Sequence, residues 1–203
     1  MEGIKKFVYV HILKTAGTTL RHSIFERYYK GRYLYDATFK PRYYSEKPEH
    51  PVTIEPQPYP KKYEKYDVIF GHFKYDKYEH LNRPMFSFVR DPVRRLIDQY
   101  HYHKGYYKRK IKIEDFADEW ANHMSYVLGD ISKYKFIGVV EKFDKSLKMF
   151  CKNIGVAPVK NPGKKRYFND DNIRKTSKEV KKYIKGVNKE DVELYNEISR
   201  RIK

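Results

Sequence analysis

Cysteine is almost absent. The lone Cys151 in 203 residues excludes a disulfide within the chain, so a reducing compartment is acceptable. It falls in an amphipathic stretch and reads as core. Long apolar runs are missing as well, and no segment approaches membrane-spanning length. The opening "KKFVYVHI" is too short for a signal-peptide core with its cleavage site. A soluble, cytoplasmic protein is expected. Acidic residues are few, 26 against 44 Lys and Arg, which leaves a formal charge of +18. That excess points to a polyanionic partner or substrate, or to a lysine-rich surface that serves solubility. Three signatures are absent. G-x-x-x-x-G-K-[ST] does not occur and no magnesium-binding Asp stands out, which argues against an ATP-dependent kinase. His101 and His103 lack a third ligand at metal spacing, so no metal is expected. No nucleic-acid module is recognisable, so nucleic acid is an unexpected partner. A non-catalytic polyanion or nucleic-acid binder stays open on charge alone.

What is abundant is tyrosine, with 21 copies, most beside Lys, Arg or His. Aromatic rings interleaved with cations suit sugars and bases alike. The chain is long enough for a sizeable core and reads as one domain over 1–203.

Strand and helix patterns alternate. "FVYVHI" (7–12), "DVIFGHF" (67–73), "PMFSFVR" (84–90) and "KFIGVVE" (135–141) are apolar, β-rich runs. Between them lie helical patterns. Residues 18–29 carry Leu20, Ile24 and Tyr28 on one face. Asp91 and Pro92 provide an N-cap and a first helical residue for the next helix. Residues 113–129 read as one or two short helices, and 144–154 as a helix closed by Gly155. Five prolines between 48 and 60 forbid a long helix, so 30–66 reads as an irregular surface excursion. "TSKE" (176–179) is a capping box within the C-terminal helices of 171–203. The alternation predicts an α/β fold with a mainly parallel central sheet flanked by helices.

Two segments carry chemistry. "HILKTAGTTL" (11–20) sits where a strand turns into a helix, and exposed N–H groups with a helix dipole favour an anion there. Gly17 lets the backbone approach closely, Lys14 adds a charge, and Thr15, Thr18 and Thr19 add hydroxyls. The plainer reading is an ordinary strand-to-helix turn with threonine caps. Arg90 closes the third run, at the strand end where ligands bind in parallel sheets. It can meet a second phosphate, reinforced by Arg94 and Arg95, or form a salt bridge to Asp91 or Asp98.

"HILKTAGTTL" followed by "RDPVRRLIDQYHY" resembles the carbohydrate sulfotransferases, in particular the family that includes heparan sulfate 2-O-sulfotransferase. "GHF" (71–73) and "GVVEKFDKSL" (138–147) look like two further family elements in the same order. The resemblance spans about residues 7–150. It implies a P-loop-like three-layer fold, and 3′-phosphoadenosine 5′-phosphosulfate (PAPS) as donor with 3′-phosphoadenosine 5′-phosphate (PAP) as product. It further implies transfer of a sulfuryl group to a hydroxyl. Lys14, Thr15, Ala16, Gly17, Thr18 and Thr19 would then hold the 5′-phosphosulfate and Arg90 the 3′-phosphate. His72 matches the general base, with Glu141 as the other candidate base or a carboxylate that orients a cation. Lys164, Lys165 and Arg166 match loosely a loop that closes over the nucleotide. The chain departs from the pattern at Leu13, where proline is usual, and at Asp98, where a serine helps bind the 3′-phosphate. It also lacks the family's amino-terminal membrane anchor, which suggests a bacterial or viral relative.

Sulfuryl transfer needs in-line geometry and stabilisation of the leaving oxygen. A lysine suits the second task, and a histidine with an ordinary pKa of about 6.5 suits proton removal from an acceptor hydroxyl. The acceptor is expected to be a carbohydrate. The basic, tyrosine-rich 30–66 and 100–110 segments would grip an acidic glycan. Asp98 is expected to pair with Arg94 one turn earlier and to weaken 3′-phosphate binding without abolishing it.

Overall fold

The computed structural model describes residues 5–36, 58–159 and 170–202. Five strands form one sheet in the order β2-β3-β1-β4-β5. They are β1 (Phe7–Val10), β2 (Tyr33–Asp36), β3 (Val68–Gly71), β4 (Met85–Val89) and β5 (Tyr134–Val139). All four neighbouring pairs are parallel. Such a sheet is covered on both faces, so β1, β3 and β4 read as unbroken apolar runs rather than alternating ones. Every residue of these three strands is buried. Phe7, Tyr9, Phe70, Phe86 and Phe88 meet Phe25 and Phe150 from the helices in an aromatic core.

The excursion expected over 30–66 is corrected at its start. Tyr33–Asp36 is the edge strand, and its partner β3 lies more than thirty residues further on. Its "YLYD" is short and carries no alternation, so only pairing with β3 reveals it.

The first helical segment runs in three parts: α1 (Gly17–Leu20), a π-helical turn over Arg21–Phe25, and α2 (Glu26–Tyr28). The wider π turn inserts one residue into the helix period. Leu20, Ile24, Phe25 and Tyr29 are buried as a result, whereas Tyr28 sits at the rim and its hydroxyl donates to the Ala157 carbonyl.

α3 (Pro92–Tyr106) begins as the sequence implies: the Asp91 carboxylate accepts from the Arg94 N–H at 2.8 Å and Pro92 opens the helix. α4 (Ile113–Glu119) and α5 (His123–Leu128) are the two short helices. α6 (Phe143–Ile154) ends on Gly155 in the left-handed region at φ 70°. The C-terminal helices are α7 (Asp170–Lys175), α8 (Lys178–Val187) and α9 (Lys189–Arg201). The cap of α8 is shifted by one residue from expectation. Ser177 accepts from the Val180 N–H, while the Thr176 hydroxyl donates back to Asn172.

Arg95, expected to add to the positive field of the site, is a structural residue instead. It is fully buried, donates to Gln99 at 2.7 Å, and lies 3.7 Å from Asp191. Asp191 in turn accepts from the Met124 and Ser125 N–H groups, so this network fastens α9 to α3 and α5. Cys151 is buried in the core as expected, and burial pushes its thiol up.

Candidate functional site

Parallel strands end on one edge, and in an open α/β sheet that edge carries the ligand, at the point where strand order reverses. Here the reversal lies between β1 and β4. The loop after β1, His72 after β3, Arg90 after β4 and Glu141 after β5 therefore share one edge.

The turn after β1 is tightly built. Lys14 and Ala16 both take left-handed backbone angles, at φ 67° and 65°. Such angles are uncommon outside glycine and cluster at functional sites. Thr15 is fully buried, and its hydroxyl donates to the Ile12 carbonyl at 2.8 Å. The Thr15 hydroxyl thus shapes the loop. Gly17 has a different reason from the one expected. A Cβ there would fall 1.9 Å from His11 Nε2, so the glycine makes room for an imidazole. Thr18 is exposed and Thr19 nearly buried.

His11 is the residue that sequence reasoning passed over. Its ring stacks on Phe70 at 5.1 Å and lies 4.3 Å from the His72 ring. Its carbonyl is 2.8 Å from His72 Nδ1. A carbonyl can only accept, so Nδ1 carries the proton and Nε2 keeps a lone pair. Burial lowers the His72 pKa to about 4, opposed by the hydrogen bond to His11 and by the charge of Asp36. His11 is lowered too, by burial and then by His72. Both rings are neutral at pH 7. The signal that could have pointed to His11 is its place, at the carboxyl end of β1 directly before the anion loop.

The Lys14 ammonium sits 3.9 Å from the centre of the Tyr102 ring. Burial lowers its pKa, Asp98 pulls the other way, and Arg90 adds to the lowering. Lys14, Arg90 and Asp98 thus feel one another. Arg90 is almost fully buried, and its Nη1 lies 2.6 Å from Asp98 and 3.4 Å from the Lys14 carbonyl. Asp98 therefore pairs with Arg90, one of the two alternatives for that arginine, and not with Arg94. Helix α3 starts close enough to β4 that residue 98 faces back to the strand end. Arg94 reaches Asp170 at 3.3 Å.

Glu141 accepts from the Asp91 N–H at 3.1 Å and lies 4.0 Å from Arg90 Nε. The Tyr195 hydroxyl donates to it. Burial raises its pKa, opposed by the backbone N–H groups of Glu141 and Asp91 and by the charge of Arg90. These contacts fit a carboxylate that orients Arg90. A cleft of about 460 Å³ opens beside it, lined by Arg90, Arg94, Glu141, Asp170 and Tyr195 among others. Lys164, Lys165 and Arg166 lie outside the described residues. Among the described residues no three His, Cys, Asp or Glu side chains converge as a metal site requires, and no helix is long and apolar enough to cross a membrane.

No family model matches the chain, and no curated protein matches it. Among solved structures it is similar to mouse sulfotransferase SULT7A1 complexed with PAP, at 14% identity and a TM-score of 0.57. The alignment covers 99% of this chain and 91% of the mouse chain. The chain therefore has the α/β fold of that sulfotransferase, a parallel five-stranded sheet between helices.

Proposed function

We propose that this protein transfers a sulfuryl group from PAPS to a hydroxyl, most readily one on a carbohydrate. The observation that carries the reading is that Lys14, His72 and Arg90 follow the carboxyl ends of the neighbouring strands β1, β3 and β4, in a fold shared with a PAP-bound sulfotransferase. The motif order in the sequence supports it independently.

The residues fit a donor with two anionic ends, with one reservation of chemistry. The β1–α1 turn offers backbone N–H groups and Lys14 for the phosphosulfate end. Arg90 suits the 3′-phosphate, but Asp98 already holds it, so the phosphate must share or displace a carboxylate. In the reaction the acceptor oxygen forms a bond to sulfur as the bond from sulfur to the bridging oxygen breaks. His72 Nε2 takes the hydroxyl proton, and the Lys14 ammonium stabilises the negative charge left on the nucleotide. Glu141 holds Arg90 and the start of α3 in place, with a role as base the alternative assignment. With a pKa of about 4 His72 is a weak base that stays neutral throughout the physiological range.

A second reading, a polyanion binder without catalysis, draws on the Asp98 pairing of Arg90 and on the +18 charge. One experiment separates the two. A thermal-shift series with PAP, ADP and ATP should show stabilisation by PAP above the others, about 2.7 kcal/mol at a hundred times its dissociation constant. Lys14→Ala should then cut kcat more than PAP affinity, and His72→Ala should lose ~10²–10⁴ in rate with PAP binding kept. A melting temperature indifferent to PAP would overturn the sulfuryl-transfer reading.

A further inference from the structure

His72 begins a short segment, 72–74, that joins β3 to the 3₁₀ turns of Tyr75–Leu81. Both ends of this segment are held by one residue of the edge strand β2, Asp36. At the near end, the His72 N–H donates to the Asp36 carbonyl at 3.1 Å. The approach is close: a Cβ on Gly71, the residue before, would fall 2.0 Å from the same oxygen. At the far end, the Asp36 carboxylate oxygen Oδ2 accepts from the Lys77 ammonium at 2.7 Å and from the Tyr78 hydroxyl at 2.8 Å. Asp36 and Tyr78 are both buried. Phe73 lies edge-on to Tyr78 at 4.8 Å, so the middle of the segment rests on the same anchor. From the other side, β1 supplies the His11 carbonyl, 2.8 Å from His72 Nδ1.

We propose that Asp36 is a positioning residue for His72: it fixes both ends of the segment that carries the imidazole, so that Nδ1 stays on the His11 carbonyl and the lone pair stays on Nε2. The use of that lone pair as a base rests on the sulfuryl-transfer reading; the lock on the ring does not. A parallel ladder supplies the backbone carbonyl whatever the side chain, so the carbonyl alone does not call for aspartate. The carboxylate does. A buried carboxylate is costly to desolvate and is kept where donors meet it. Here both of these donors come from the element that follows His72. The Asp36 charge also opposes the fall in His72 basicity that burial causes. Asparagine would keep the shape and lose the charge that holds the Lys77 ammonium, whose side chain is only 12% exposed. The turn that bears Lys77 and Tyr78 would then loosen. A misplacement of about 1 Å at a reacting group costs up to ~10²-fold in rate.

The test uses Asp36→Asn and, because that change breaks a buried ion pair, the milder Tyr78→Phe, which keeps the ring and removes one donor. The His72 tautomer is read at pH 7 from its imidazole nitrogen shifts by NMR, with melting temperature and PAP affinity measured on the same proteins. PAPS turnover is followed with desulfated heparin as the acceptor. The wild type should show a single Nδ1–H tautomer. Asp36→Asn should show a mixture, because a ring that loses its carbonyl partner is no longer held to one form. Its kcat should fall ~10–10²-fold with KM and PAP affinity unchanged. Tyr78→Phe should move both readouts in the same direction and by less. A loss of stability alone, with tautomer and kcat as in the wild type, would overturn the proposal and leave Asp36 a structural residue. A tautomer mixture with unchanged kcat would overturn it too. If Asp36→Asn does not fold, Tyr78→Phe decides by the same criteria. A tautomer shift in the variants of a protein that neither binds PAP nor turns over PAPS would sink the sulfuryl-transfer reading and uphold the lock on the imidazole.

Discussion

Lys14 shows how much one side chain owes to its neighbours. A lysine on a left-handed backbone position would have many places to put a flexible arm, yet its ammonium rests on the Tyr102 ring. A cation over an aromatic face gains about 0.5–2 kcal/mol, more where water is kept away. Tyr102→Phe should keep kcat at saturating acceptor near that of the wild type, because the ring remains. Tyr102→Leu should lower kcat by up to ~30-fold on that energy scale, with PAP affinity little changed. Equal kcat in both variants would mean that Lys14 finds its place without the ring. Asp98 makes a second case. It stands where the carbohydrate sulfotransferases that the sequence resembles carry a serine, and the sequence left both Arg90 and Arg94 open as its partner. Spacing favoured Arg94 one turn away, and the structure pairs it with Arg90 because the helix start folds back on β4. Removing one member of a buried ion pair costs about 3–5 kcal/mol. Asp98→Ser should therefore be less stable than the wild type in chemical denaturation without ligand, and PAP should restore more stability to it than to the wild type. If PAP stabilises both proteins alike, Arg90 does not meet the 3′-phosphate.

At the scale of the element, the turn between β1 and α1 depends on a packing fit between a glycine and an imidazole. Gly17→Ala would drive a methyl into His11, whose ring is wedged between Phe70 and His72. Over-packing of a buried site costs about 1–3 kcal/mol. The variant should be destabilised by that amount in urea titrations. It should also lose activity, because a displaced His11 moves the carbonyl that fixes the His72 tautomer. A Gly17→Ala protein as stable as the wild type would show that the turn can relax without His11. This element was half legible. The strand, the lysine and the glycine stood out from the sequence, and so did the helix after them. The reason for the glycine did not, because it lies in a contact between residues 11 and 17 that no local pattern encodes. Thr15 was ambiguous for a similar cause: its hydroxyl is equally able to meet an anion or a carbonyl, and here it donates to the Ile12 carbonyl. β2 was missed because an edge strand of four residues is defined by its partner. By contrast, the start of α3 and both ends of α6 were readable to within a residue, since a cap such as Asp91 or Gly155 is a local signal.

At the scale of the whole molecule, the histidines set the response to acid. Burial lowers the pKa of five of them: His72 and His103 to about 4, His11 and His123 well below the ordinary value, and His101 below it. In the unfolded chain each returns to about 6.5. The folded form then binds fewer protons than the unfolded form between about pH 4 and 6.5. Stability is therefore present in full above pH 6.5 and is lost as pH falls through that window. Each histidine contributes a slope of up to about 1.4 kcal/mol per pH unit there. The high positive charge acts in the same direction, because added protons increase self-repulsion. Melting temperatures at pH 7.5, 6.5, 5.5 and 4.5 should thus be level over the first step and fall steeply over the next two. Catalysis should behave differently. His72 in the folded protein stays neutral down to about pH 4. The acidic limb of kcat/KM, measured at a temperature where the protein remains folded, should then lie near pH 4 rather than 6.5. A limb near 6.5 would mean that the base is a group exposed to water and not the buried His72. A melting temperature unchanged from pH 6.5 to 4.5 would mean that the buried imidazoles take up protons without unfolding the chain.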